Sequence, residues 1–133
     1  MRVYALTALL CTLAVSGCNT TASVSPPLKV TTAGKPLTVD SYYSINPDCS
    51  SVGKTVVRLV EAPKNGRLET KEATDFPSFR ESNSRHHCNR QRVPVVQAIY
   101  IPSPGYLGQD SFKMDVIYPS GTARTYNYKL EVR

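Results

Sequence analysis

The chain has 133 residues, 41% of them apolar, with 16 Lys and Arg against 10 Asp and Glu. That length supports one domain around one core and excludes a large multidomain enzyme. The formal charge of +6 directs the search for partners toward polyanions.

Arg2 is followed by an uncharged, largely apolar run from Val3 to Val15, and then by the small residues Ser16 and Gly17. The run is too short for a permanent membrane span and ends in small side chains, so residues 1–17 are expected to be a cleaved export signal. Val15-Ser16-Gly17-Cys18 resembles the lipobox of bacterial lipoproteins. The resemblance implies that the Cys18 thiol receives diacylglycerol, that a peptidase cuts before it, and that the new amine is acylated. Small residues beside the thiol leave room for both enzymes. The alternative is an ordinary signal with a chance cysteine that then needs a partner. One fatty chain holds a protein only marginally, at about 0.8 kcal/mol per buried methylene, whereas several chains make attachment effectively permanent. Asn19, rather than Asp, follows the cysteine, which under the lipoprotein resemblance implies the outer membrane, on either its periplasmic or its surface face.

From Asn19 to Pro36 the chain is rich in Thr, Ser, Pro and Ala and is expected to be a flexible tether. Residues 18–36 are thus read as lipidated cysteine plus tether, and residues 37–133 as a single domain of roughly 100 residues. Cys11 is lost with the signal and Cys18 is taken by lipid, which leaves Cys49 and Cys88. In an oxidising compartment the simplest expectation is that these two pair. Two free buried thiols are the alternative.

Past Leu37 the apolar pattern has period two, with no convincing helix. Leu37, Val39, Ser41, Tyr43 and Ile45 alternate with Thr38, Asp40, Tyr42 and Ser44. Thr55–Val60 is a β-branched run. Lys64-Asn65-Gly66-Arg67 carries the Asn-Gly pair that favours a tight hairpin turn, with a return strand around Leu68. Residues 72–92 show no periodicity and read as a long loop. Val93–Ile101 is strand-like and is stopped by Pro102-Ser103-Pro104-Gly105. Phe112, Met114, Val116 and Tyr118 then alternate with polar residues, as do Tyr126, Tyr128, Leu130 and Val132 after the turn at Pro119-Ser120-Gly121. These two stretches predict an antiparallel hairpin with one buried face.

Tyr100-Ile101-Pro102, followed by Gly105-Tyr106-Leu107-Gly108-Gln109-Asp110-Ser111-Phe112, resembles the signature of bacterial cadherin-like and Ig-like repeats. Ala62-Pro63-Lys64-Asn65-Gly66 is similar to the hairpin that opens the same unit. The resemblance covers most of residues 55–133 and implies an all-β fold: a small Ig-like or cadherin-like antiparallel β-sandwich, here with one disulfide. Gly105 and Gly108 suit a tight corner with positive φ, Asp110 can accept backbone N–H groups there, and Phe112 enters the core. These four are read as architectural.

Arg80, Arg85, Arg90 and Arg92 crowd one stretch, with His86 and His87 among them and only Glu81 opposing. They form a candidate anion-binding patch for an envelope polymer. A solvated loop around a disulfide accounts for the same residues and is the preferred reading. His86-His87-Cys88 invites a metal, but neighbouring residues of an extended chain point apart and no zinc spacing is present. Calcium needs clustered oxygen ligands, and the carboxylates here are dispersed, so no metal or other cofactor is expected. Ser51-Val52-Gly53-Lys54 matches Ser-x-x-Lys of penicillin-interacting enzymes without the companion elements. Tyrosine supplies most of the aromatics, and exposed ones such as Tyr42 or Tyr106 could stack on sugars or a protein, although sandwich packing explains most of them.

The expected function is non-enzymatic: an outer-membrane-anchored binding, scaffolding or adhesion module. Its partners are the membrane, through the lipid, and an envelope protein or anionic polymer, with nucleic acid removed from reach by export. Two alternatives stand beside it. One is an accessory lipoprotein of an envelope machine. The other is a periplasmic inhibitor, because Tyr118-Pro119-Ser120-Gly121-Thr122-Ala123-Arg124 resembles a loop of lysozyme inhibitors, against which the like charge of basic lysozymes counts.

Overall fold

The computed structural model describes residues 22–133, so the expected signal peptide and Cys18 lie outside the described residues. Eight strands are formed among the described residues: β1 (Ser23–Val24), β2 (Lys29–Thr31), β3 (Leu37–Tyr42), β4 (Val56–Glu61), β5 (Gly66–Asp75), β6 (Val93–Pro102), β7 (Gly108–Ile117) and β8 (Ala123–Val132). One short 3-10 turn, His86–Arg90, interrupts the β5–β6 connection. No helix among the described residues is long and apolar enough to cross a membrane.

The strands form two sheets that pack face to face. One runs β8–β7–β4, with β1 and β2 both added in parallel to the free side of β8, and the other runs β3–β6–β5. The period-two pattern explains which faces meet. On β7, Asp110, Phe112, Met114 and Val116 turn inward, while Ser111 is exposed and Lys113 and Asp115 lie partly in solvent. On β8, Tyr126, Tyr128, Leu130 and Val132 turn inward. Val39, Tyr42, Ala98 and Tyr100 meet them from the opposing sheet. Each large apolar side chain buried this way stabilises the fold by about 1.5–3 kcal/mol, so the shared face between β3–β6 and β7–β8 is the main source of stability.

The structure corrects three expectations. First, the stretch read as a tether through Pro36 contains two strands. Ser23 and Val24 pair with Thr125 and Tyr126, and Lys29, Val30 and Thr31 pair with Leu130, Glu131 and Val132. The outer edge of β8 offers unpaired backbone groups, and this polar segment satisfies them without needing a large apolar face. The domain therefore starts near Ser23 rather than at Leu37.

Second, Asn65-Gly66 does not close a hairpin. β4 pairs with β7, whereas β5 pairs with β6, so the chain at residues 62–65 crosses from one sheet to the other. Gly66 is needed for a different reason: a Cβ there would sit 2.6 Å from the Ile101 carbonyl oxygen and 2.6 Å from the Tyr100 ring. Third, β5 continues to Asp75, into what read as loop. Its sequence hides it because it is an edge strand dominated by exposed charged residues, with Leu68 and Ala73 among its few half-buried ones.

Candidate functional site: a disulfide-pinned loop pole

Strand direction sorts the connections into two poles. At one pole lie the β3–β4 connection (43–55), the β5–β6 connection (76–92), the β7–β8 turn (118–122) and the start of β1. The opposite pole holds the β2–β3 turn, the β4–β5 crossover and the β6–β7 corner. The longest loops therefore converge at one end, as they do at the binding ends of Ig-type sandwiches.

Cys49 in the first long connection is bonded to Cys88 in the second, with Cα atoms 5.5 Å apart. Cys88 is wholly buried and joins Ile45, Val93 and Val95 in a second small core beneath the pole, with Tyr43 and Phe79 packed against it. Cys49 takes a left-handed φ of 68°, within a tight turn where the Asp48 carboxylate accepts both the backbone N–H and the hydroxyl of Ser50. Those two bonds hold the Asp48 carboxyl below its ordinary pKa. Asn89 locks the second loop through a reciprocal pair with Phe79, its Oδ1 accepting the N–H and its Nδ2 donating to the carbonyl, each at 2.9 Å.

The four arginines of the predicted patch divide into two pairs. Arg85 is half-buried and donates from Nε to the Ile45 carbonyl at 2.7 Å. Arg92 donates to the Thr74 carbonyl at 3.0 Å and lies over the Phe76 ring. These two fasten the loop to the sandwich. Arg80 and Arg90 are exposed and make no side-chain hydrogen bond or ion pair to the described residues. His86 faces the Phe79 carbonyl, and His87 Nε2 lies 3.7 Å from Cys88 Sγ. Cys49, His87 and Cys88 bring their ligand atoms within 4.8 Å of one another, but both sulfurs are joined in the disulfide and neither is a free thiolate able to hold a metal.

An open cleft of about 430 Å³ runs between β3 and the β7–β8 turn. Tyr43, Phe79 and Tyr118 supply aromatic surface to it, and Asp40, Ser120 and Arg124 supply polar groups. Tyr43 accepts the Ser78 N–H through its hydroxyl at 2.8 Å and meets Phe79 edge-on with centroids 5.5 Å apart. Beneath the cleft, Tyr128 donates to Asp40 at 3.1 Å and accepts from Tyr42 at 2.7 Å. Burial, then the bond to Tyr128, drives the Tyr42 phenol far above its ordinary pKa, and burial likewise raises Tyr118 and Tyr128. The cleft is lined by ring faces and hydroxyls, with Asp40 and Arg124 as its charged residues. Tyr42, read from sequence as an exposed stacking residue, is a core residue instead. Tyr106 is half-buried, its hydroxyl donating to the Gln109 carbonyl at 2.5 Å. Tyr43 and Tyr118, which line the cleft, are half-buried like Tyr106, and alternation does not mark them because both sit just past the ends of strands.

Gly105, Gly108, Asp110 and Phe112 lie at and near the opposite pole. Gly105 and Gly108 have φ of 71° and 125°. Asp110 accepts from the backbone N–H groups of Lys64, Asn65 and Ser111 and from the Tyr100 hydroxyl, and Phe112 stacks between Tyr100 and Tyr128.

The protein is an all-β, two-sheet sandwich. Its order, β3–β6–β5 against β4–β7–β8, is that of the Ig constant-type fold, with the first strand moved onto the last. Its disulfide pins two loops rather than joining the sheets. No protein-family model, curated protein or solved structure matches this chain.

Proposed function

We propose that this chain is an exported lipoprotein, anchored in the outer membrane through Cys18, whose Ig-like sandwich acts as a non-enzymatic binding module of the cell envelope. The observation that carries the reading is the loop pole itself. Three connections meet there, the disulfide and Asn89 fix the two long ones, and the cleft beside Tyr43 and Tyr118 gives the pole a concave, hydroxyl-rich flank. A preorganised surface of this kind loses little conformational freedom on binding. The cations Arg80, Arg90 and Arg124 suit an anionic envelope component rather than a neutral one.

Two measurements test the reading. Cys18→Ser should abolish labelling by a fatty-acid probe in the native host, and unchanged labelling would sink the anchor. The purified protein should recover an anionic envelope component from envelope extracts, and Arg90→Gln with Arg124→Gln, both exposed, should reduce that recovery while changing stability by no more than about 0.5 kcal/mol per substitution. Equal recovery by the double variant would remove the pole from the binding surface.

A further inference from the structure

The direction of β1 settles where the polypeptide enters the sandwich. Ser23 pairs in parallel with Thr125, near the start of β8, and the Thr125 N–H donates to the Ala22 carbonyl at 3.2 Å. Ser23 is also held by Asn127, whose Nδ2 donates to its hydroxyl at 2.7 Å. The N-terminal side of the chain thus leaves the domain at the loop pole, beside the β7–β8 turn. Between Cys18 and Ala22 there are four peptide steps, so the two lie no more than about 14 Å apart whatever path is taken. A ten-residue strand such as β8 is roughly 33 Å long, so the opposite pole is well beyond that reach.

The same pole carries the larger share of arginine. Its loops and the adjoining strand ends hold Lys54, Arg80, Arg85, Arg90, Arg92 and Arg124 against Asp48, Asp75 and Glu81, with Asp40 in the cleft beside Arg124, whereas the loops of the opposite pole hold Lys35 and Lys64. Lys54 is paired with Glu72, while Arg80, Arg90 and Arg124 have no carboxylate partner among the described residues. Val52, 44% exposed, adds an apolar side chain at that end.

From this we infer a docking surface: the loop pole lies against the anionic phospholipid headgroup layer of the membrane that carries the anchor, with Arg80 and Arg90 paired to headgroup phosphates. The inference rests on the proposed lipidation of Cys18 and names the anionic component the pole meets first. Guanidinium groups match phosphate oxygens in geometry as well as charge. A short connection holds the pole near the surface, where the attraction acts within a Debye length of about 8 Å. The lipid and the arginines then bind as one unit, and the domain is oriented rather than swinging on a leash.

The test separates the surface from the anchor. The chain from residue 18 onward, which contains every described strand, is prepared with Cys18→Ser and mixed with vesicles of phosphatidylcholine, with or without phosphatidylglycerol. It should cosediment only with the anionic vesicles and be released by salt. Arg80→Gln with Arg90→Gln should weaken this by about 25-fold, at about fivefold per cation near the surface, while Lys35→Gln with Lys64→Gln at the opposite pole should leave it within twofold. In the lipidated protein, a fluorophore at Ser82 should be quenched by headgroup-labelled lipid and one at Ser103 should not. Equal binding to neutral vesicles, equal loss from the opposite-pole variant, or equal quenching at both sites would overturn the inference. So would retention of a soluble anionic glycan by a pole that ignores the vesicles. If Cys18 carries lipid and the Cys18→Ser chain ignores anionic vesicles, the docking fails and the lipoprotein reading survives. If vesicle binding is selective and Cys18 carries no lipid, the anchor fails instead.

Discussion

The Asp110 carboxylate on β7 accepts the backbone N–H of Asn65 at 2.9 Å, so one side chain holds the crossover that carries the chain between sheets. It also accepts from Lys64, Ser111 and the Tyr100 hydroxyl. Asp110→Ala leaves several donors without an acceptor in a site that is 8% exposed. The expected loss is roughly 2–4 kcal/mol, read as a lower urea midpoint with an unchanged slope. A loss under about 0.5 kcal/mol means that water replaces the carboxylate without cost.

Gly66 and Gly105 test two different requirements for glycine. A Cβ at Gly66 collides with the Tyr100 ring and a strand carbonyl, whereas a Cβ at Gly105 meets nothing within 4 Å but must take a φ of 71°. Gly66→Ala should cost about 1–3 kcal/mol by overpacking, and Gly105→Ala about 1 kcal/mol by backbone strain alone. Adding Tyr100→Ala should remove the part of the Gly66→Ala penalty that comes from the ring, leaving the part set by the Ile101 carbonyl, and none of the Gly105→Ala penalty. Additive losses in both double mutants contradict the assignment.

Opening the Cys49–Cys88 bridge, which spans 39 residues of sequence, should cost roughly 2–4 kcal/mol and lower the melting temperature by several degrees. Two reactive thiols titrating in freshly isolated native protein run against the bridge. The arginines of the same loop should separate in a stability assay. Arg85→Gln loses a charge-assisted bond to the Ile45 carbonyl and should cost about 1.5 kcal/mol, whereas Arg90→Gln should stay within about 0.5 kcal/mol.

Tyr42, Tyr100 and Tyr128 are buried phenols whose pKa values lie above the ordinary 10.0, with burial the leading cause in each. The folded state keeps protons that the unfolded chain releases above that value. Their contribution is therefore fully present below pH 10 and is lost as pH rises beyond it. Each group lowers stability by about 1.4 kcal/mol per pH unit in that range. An alkaline titration should show phenolate absorbance from these three only together with loss of the β-sheet circular-dichroism signal. Early, gradual ionisation without unfolding would place them at the surface.

The sheets were legible wherever burial is one-sided. β7 and β8 bury alternate residues against one face, so period two marks their extent, and Asp110 and Phe112 fall where the motif around Gly105 puts them. β5 was hidden because an edge strand needs few apolar residues, and β1 and β2 because strands that only extend a sheet edge need almost none. The arginines of the 76–92 loop were visible as a cluster, but nothing in their spacing separates Arg85, which reaches a carbonyl 40 residues away in sequence, from Arg90, which faces solvent.

By itself the sequence determined the all-β class and the inward faces of the last two strands, because alternation is a local property; it left Cys49 and Cys88 either paired or as two free thiols, and the structure shows the bridge. Only the tertiary structure decided that β4 and β5 belong to different sheets, that Gly66 makes room for Tyr100, and that the chain enters at the same pole as the basic loop. Those depend on which strands pair and in which direction. Pairing is settled by backbone hydrogen bonds and core contacts between residues far apart in the chain, and they leave no local period to read.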